Sequence, residues 1–180
     1  EQWLRPEGAT PTTHILKLPL TGIIGGLVNL HHTVENEWLC LRLLAAMGLP
    51  TARAQMERYE GLDVLVIERL DREWTGPDTG KPHQPSKPGD ASAPARYLRR
   101  IPQEDMCQAL SEPSARKYQA DGGPDPDRIQ TLLPGSSNES DPSTFALALF
   151  AFWLLAAPDG HAKNFSIFLQ RGGNIAITPL

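Results

Sequence analysis

Along the chain the spacing of apolar residues changes, and each spacing predicts an element. Thr13-His14-Ile15-Leu16-Lys17-Leu18-Pro19 alternates apolar and polar positions and stops at a proline, the pattern of a strand. From Val34 to Met47 apolar residues stand at 34, 38, 41, 44 and 45, a helical period that Gly48 closes. Ala52 to Arg58 and Val64 to Arg69 read as strands joined by a turn at Glu60-Gly61-Leu62-Asp63. Leu20 to Thr33, with glycines at 22, 25 and 26, reads as a loop.

The pattern then breaks. Trp74 to Ala95 carries prolines at 77, 82, 85, 88 and 94 and glycines at 76, 80 and 89 among few apolar residues, which predicts a flexible surface insertion. Ile101 to Leu110 reads as a short helix with Pro102 in its first turn. Tyr118 to Pro126 is a glycine- and proline-rich turn, Asp127 to Leu133 a second short helix, and Gly135 to Pro142 a polar loop. Ser143 to Ala157 is apolar nearly all round, which predicts a buried helix ended by Pro158. Phe165 to Gln170 and Asn174 to Pro179 read as a hairpin around Arg171-Gly172-Gly173.

Composition narrows the classes. An apolar fraction of 40% supports a core, and a net charge of -4 without a basic stripe argues against direct binding to nucleic acid. Cys40 and Cys107 sit singly within apolar patterns and read as two reduced thiols of a cytoplasmic protein. The apolar run from Phe145 to Ala157 is shorter than the about 20 residues that span a bilayer, and no signal peptide is visible. The chain starts at Glu1 and stops just past a strand-like stretch, so we read it as a segment of something longer, incomplete at both ends.

Candidate chemistry concentrates in Asp159-Gly160-His161-Ala162-Lys163-Asn164, between an apolar helix and a strand. An Asp that takes the proton of a hydroxyl, with an Asn close behind to hold Mg²⁺, is what phosphoryl transfer from ATP requires. Lys17 on its strand could neutralise phosphate oxygens, and Glu37 on the next helix could pair with it and fix its rotamer. Each residue has a plainer reading: a solvated lysine, a glutamate complementing a helix dipole, an aspartate in a turn, a histidine bonded to backbone. Their joint order carries the weight. Glu68-Arg69-Leu70, ending the last strand before the insertion, stands where a hinge would bind adenine. The glycines at 22, 25 and 26 follow Lys17 rather than precede it and read as a plain turn, and His31-His32 lacks further metal ligands nearby.

Thr12 to Pro19, Glu35-Asn36-Glu37-Trp38, Val66 to Arg72, Pro102 to Gln108, Lys117 to Pro124 and Asp159 to Ser166 together resemble the HipA family. Its members are serine/threonine-protein kinase toxins of bacterial type II toxin–antitoxin systems. The resemblance implies an α+β, two-lobed protein-kinase-like fold, here divided into a partial ATP-binding lobe over 1–71, the insertion over 72–97 and the start of a helical lobe over 98–180. It implies ATP and Mg²⁺ as cofactors and transfer of the γ-phosphate to a protein serine, with glutamate–tRNA ligase as the family's best-known target and persistence as the outcome. It also implies a HipB-like DNA-binding antitoxin as partner, through which alone DNA is contacted. By position, Asp159 would be the base, Lys17 and His161, Ala162, Lys163 and Asn164 would lie at the phosphates, Glu68, Arg69 and Leu70 would line the adenine pocket, and Asn164 would hold metal. The sequence departs from the family where Leu70 replaces a common aromatic. The phosphate loop expected before Lys17 and the second metal-binding aspartate expected after Pro179 are not within it. Two other readings stay open: an inactive remnant that only binds an antitoxin-like partner, and a metal-dependent nuclease built on Asp159, His161 and Asn164.

Overall fold

The structure is a computed structural model, and it describes residues 11–20, 23–24, 28–29, 31–76, 97–157 and 159–180. The first strand, β1 (His14–Lys17), falls within the alternating segment that predicts it. Within the predicted loop, β2 (Ile23–Ile24) and β3 (Val28–Asn29) form a small antiparallel ladder, and the glycines at 22, 25 and 26 lie outside the described residues. The helix α1 (Thr33–Ala46) ends at Met47 and Gly48 as its apolar period requires. β4 (Ala54–Tyr59) and β5 (Leu62–Glu68) follow, joined by the two-residue turn Glu60-Gly61. β5 is central, with β1 and β4 antiparallel on either side. Its Val64, Leu65 and Val66 are buried in succession, in a middle strand flanked by β1 and β4 and packed against α1.

Residues 72–76 and 97 lie inside the predicted flexible segment but are ordered. β6 (Arg72–Thr75) pairs antiparallel with β7 (Tyr97–Arg100), and Glu73 faces Arg99 across the ladder in an ion pair. Opposite charges on facing positions support such a ladder where few apolar residues are available. Residues 77–96, the rest of that segment, lie outside the described residues.

The helix predicted over Ile101 to Leu110 is corrected to a strand and a single turn, β8 (Gln103–Asp105) and α2 (Met106–Ala109). The reason is Asp105. Its carboxylate accepts from the Gln108 amide while the Gln108 side chain accepts from the Asp105 amide, a capping box that starts a helix and leaves the preceding residues extended. The next helix, α3 (Pro126–Gln130), is capped by Asp125. α4 (Asp141–Leu154) leads to the loop bearing Asp159, followed by β9 (Ser166–Leu169) and β10 (Ile175–Ile177). β9 lies between β8 and β10, antiparallel to both.

α4 is not buried all round as its composition predicts. Phe145, Ala148 and Ala151, three residues apart, sit in the core, whereas Phe150, Trp153 and Leu154 are exposed. Neighbours pack against one side only, so only that stripe leaves water. Pro158 lies outside the described residues, and the helix stops before it with Ala156 at positive φ. Both cysteines are free; Cys107 is buried and Cys40 half-buried, and burial pushes both thiols above their ordinary range.

One apolar cluster joins the two parts of the chain. Leu44 and Leu49 from the end of α1 meet Met106, Ile129, Leu133, Phe145, Phe165 and Ile167. Backbone bonds reinforce it: the Ala52 amide donates to the Leu180 carbonyl at 2.7 Å, and the Leu180 amide to the Pro50 carbonyl at 2.9 Å.

The segment 135–142 looks like an unremarkable polar loop in sequence, yet it contains a buried anchor. The Asp141 carboxylate accepts from the Ser136 hydroxyl at 2.5 Å, the Asn138 amide at 2.6 Å and the Ile177 backbone N–H at 2.7 Å. It thereby ties the start of α4 to β10. Replacing Asp141 by Ala removes the buried carboxylate that these donors share, and a hydrogen bond to a charged group contributes about 1.5–3 kcal/mol. Asp141→Ala is expected to lower unfolding stability by about 3 kcal/mol in urea titrations, mainly as a fall in midpoint. A loss below about 1 kcal/mol contradicts the anchor.

Candidate active site

The site is built from two clusters, each held by the fold in a different way. In the first, Lys17 sits at the last position of β1 and Glu37 one turn into α1, which packs against β4 and β5. The Lys17 Nζ donates to Glu37 Oε1 at 2.6 Å. The sequence anticipates this pair. Both side chains are partly open to solvent, 45% for Lys17 and 38% for Glu37, so the pair sets a rotamer more than it holds the fold.

The second cluster is the loop after α4. Asp159 lies in a turn with its side chain 69% exposed. The Asn164 side-chain amide donates to the Asp159 backbone carbonyl, closing the loop on itself. With its Nδ2 spent in this way, the Asn164 Oδ1 is the atom left to ligate a cation. His161 is buried, its Nε2 3.1 Å from Asp159 Oδ1 without the alignment of a hydrogen bond, and neither ring nitrogen has a hydrogen-bond partner among the described residues. Ala162 and Phe165 are buried below it, and Phe165 packs edge-on against Phe145 with centroids 4.9 Å apart. Gly160 cannot be larger, because a Cβ there would meet the Phe152 ring at 2.8 Å. Beneath the loop is a cavity of about 120 Å³, lined among others by Tyr118, Ile129, Phe145 and His161.

Lys163, which the resemblance puts at the phosphates, is bonded within the protein. Its Nζ donates to Asp105 Oδ2 at 2.6 Å, and this bond holds the ammonium above the ordinary lysine range. Asp105 therefore caps α2 with one oxygen and fastens the loop after α4 with the other. Sequence reasoning missed Asp105 because its partner lies far along the chain.

At the end of β5 the Glu68 N–H is committed to the Arg53 carbonyl and the Arg69 N–H to the Thr13 carbonyl, both at 2.9 Å, so neither is offered to a ligand. The Arg69 guanidinium grips Asp71 through two nitrogens, each at 3.1 Å, and Arg72 approaches the same carboxylate. Leu70 lies between the paired residues and is half-buried. The Asp71 clamp fixes where β5 leaves the sheet, another feature the sequence did not announce.

No hydrogen bond or ion pair joins the Lys17–Glu37 pair to the Asp159 loop among the described residues. They rest on the same core cluster, through Leu44 of α1 and through Ala162 and Phe165 of the loop. A cavity of about 500 Å³ lies elsewhere, between the end of α1 and the start of α4, and its lining includes none of the predicted site residues. Among the described residues no group of three His, Cys, Asp or Glu side chains could hold a metal ion. No helix among them is long and apolar enough to cross a membrane.

Two outcomes follow from this geometry. Because the Lys17–Glu37 pair is solvent-exposed, Glu37→Gln is expected to change unfolding stability by less than about 1 kcal/mol in thermal melts; a larger loss makes the pair a structural element instead. Burial raises the Asp71 carboxyl, but the Arg69 and Arg72 guanidiniums outweigh burial and hold it below its ordinary 3.8. The folded protein thus binds this proton less readily than the unfolded chain. The stabilisation is complete above the unfolded value and is lost as pH falls through the folded one. Asp71→Asn is expected to be less stable than the parent at neutral pH, with the gap narrowing on acidification below about pH 4. A gap that stays constant or widens there contradicts the clamp.

Comparison with known proteins gives the chain's relatives. The profile of the HipA-like C-terminal domain matches residues 2–180. A Sinorhizobium fredii protein named "Putative kinase Y4mE" is 36% identical over 172 residues, covering 93% of this chain and 34% of its own length. The serine/threonine-protein kinase toxin HipA of Shewanella oneidensis is 26% identical over 179 residues, covering 93% of this chain and 35% of its own. In structure, the chain superposes on HipA from the Shewanella oneidensis complex of HipA, HipB and operator DNA with a TM-score of 0.71 at 23% identity, over 96% of this chain and 37% of that one. The chain spans about a third of the length of these relatives. That likeness shows a shared mixed α/β fold, and the profile match over nearly every residue places the chain in the HipA-like C-terminal domain family.

Proposed function

We propose that this chain carries nucleotide-binding and catalytic residues of a HipA-type serine/threonine-protein kinase, acting on ATP and a protein serine. The observation that supports it best is the Lys17–Glu37 ion pair at 2.6 Å. A lysine at a strand end with its rotamer fixed by a glutamate on the neighbouring helix is the device kinases use to hold ATP phosphates.

In this reading Lys17 neutralises phosphate oxygens while Glu37 keeps its ammonium in place. Asp159 orients the serine hydroxyl and takes its proton as the serine oxygen bonds to the γ-phosphorus. The bond from that phosphorus to the bridging oxygen breaks, and ADP leaves with the electron pair. Exposure suits Asp159, since its partner is a residue of another protein. Asn164 fits a magnesium ligand because its amide nitrogen is already committed, leaving an oxygen of the kind this ion prefers. Bound there, Mg²⁺ would neutralise charge developing on the phosphates. His161 lies beside Asp159, and Ala162 and Asn164 form the floor of the same loop. Lys163, engaged by Asp105, braces that loop rather than reaching a phosphate. Glu68 and Arg69, with their backbone donors committed to the sheet, and Leu70 form the edge against which adenine would lie.

The printed names of the relatives extend the proposal. The neighbour is HipA assembled with HipB and operator DNA, which supports a HipB-like DNA-binding antitoxin as the partner of this chain's parent protein. A target such as glutamate–tRNA ligase and a cytoplasmic site of action belong to the same proposal.

The test is a pair of substitutions in the full-length protein. Lys17→Ala is expected to weaken Mg-ATP binding by about 10-fold or more in calorimetric titrations, and Asp159→Asn to leave that affinity within about twofold while cutting serine phosphorylation by at least about 100-fold. Unchanged phosphorylation in both variants overturns the reading.

A further inference from the structure

The conformation of the segment from Lys117 to Pro124 is imposed, and one of its side chains reaches the loop of Asp159. The Tyr118 carbonyl accepts from the Asp121 N–H at 3.1 Å and the Gly123 N–H at 3.0 Å, winding the chain into a tight turn. Gly122 takes φ +81°, and at Gly123 a Cβ would fall 1.9 Å from the Arg116 carbonyl oxygen and 2.8 Å from that of Tyr118. No larger residue fits at 123 without opening the turn. The turn therefore sets where Tyr118 points.

The Tyr118 ring meets the buried His161 ring edge to face, with centroids 5.0 Å apart and planes at 77°. Its hydroxyl donates to Asp159 Oδ1 at 3.4 Å. The His161 Nε2 approaches that same oxygen at 3.1 Å. Two groups thus converge on one oxygen of an otherwise exposed carboxylate, while Oδ2 has no hydrogen-bond or ion-pair partner among the described residues. A carboxylate held by one oxygen presents the other in a fixed direction. For a base that must meet an incoming hydroxyl, that orientation is worth more than affinity.

We propose that Tyr118, its ring seated against His161, is a positioning residue that holds Asp159 by Oδ1 so that Oδ2 faces the acceptor hydroxyl. The inference rests on the kinase reading of Asp159 but reaches beyond it, to a residue 41 positions upstream. The Lys117 ammonium, 4.9 Å from the Tyr118 ring centroid, adds a cation–π contact that steadies the phenol from its other side.

The test uses the full-length protein with Mg-ATP and a serine-containing protein acceptor. Tyr118→Phe keeps the ring on His161 and removes the donor. The expected result is a kcat about 5- to 20-fold lower, with KM for ATP and calorimetric Mg-ATP affinity within about twofold of the parent. Replacing Tyr118 by 4-aminophenylalanine, which puts an N–H donor where the hydroxyl was, is expected to recover at least half the lost rate; a merely structural ring would not produce that recovery. A Tyr118→Phe protein with unchanged kcat, or with a loss matched by weaker nucleotide binding, overturns the proposal, as does failure of the amino variant to recover when both variants melt as the parent does. Asp159→Asn run alongside separates the two readings. If it abolishes transfer while Tyr118→Phe does nothing, only the positioning role fails; if Asp159→Asn is itself active, the kinase reading fails with it.

Discussion

An exposed carboxylate can act as a base only when the backbone beneath it is held still, and the loop carrying Asp159 is fastened from three directions. Below, Ala162, His161 and Phe165 are buried against α4 and α3. From the side, Lys163 is bound to Asp105, whose other oxygen starts α2. Within the loop, Asn164 closes on the Asp159 carbonyl. Each contact is modest alone, and all act on a segment of six residues. The crowding of Gly160 against Phe152 shows how little slack is left.

The same core reaches the lysine pair. α1 contributes Leu44 and, just past its end, Leu49 to the cluster that contains Phe165. α1 also carries Glu37, which pairs with Lys17 on β1. The backbone bonds between Pro50, Ala52 and Leu180 run along this seam. A shift of α1 relative to the loop would therefore disturb apolar packing as well as an ion pair. Close-packed interiors resist such shifts, so the fold rather than the exposed ion pair keeps the two clusters in register.

What the sequence disclosed follows from the range of each interaction. β1, α1, β4 and β5 were legible because alternation and helical period are local and the burial of one face enforces them. The hairpin of β9 and β10 was legible for the same reason. The Lys17–Glu37 pair was legible because a strand lysine followed by a helix glutamate mirrors a known chemistry. The strand–helix switch at Asp105 was misread because a capping box outweighs the apolar spacing on which a longer helix was predicted. β6 and β7 were hidden because their pairing depends on charges brought together across a long insertion. The exposed side of α4 was misjudged because composition gives a helix's hydrophobicity but not how many neighbours it has. Asp141, the Asp71 clamp, the Asp105–Lys163 bond and the Tyr118 contact all join residues whose side chains look ordinary until the chain is folded.

The central claim is that Lys17 and the Asp159 loop serve one nucleotide. The most direct measurement is an experimental structure of the full-length protein with Mg²⁺ and a non-hydrolysable ATP analogue. The account predicts the Lys17 ammonium within hydrogen-bond reach of a phosphate oxygen and the Asn164 carbonyl oxygen about 2.1 Å from the Mg²⁺ that the same triphosphate binds. A nucleotide seated with only one of the two clusters near its phosphates would contradict it.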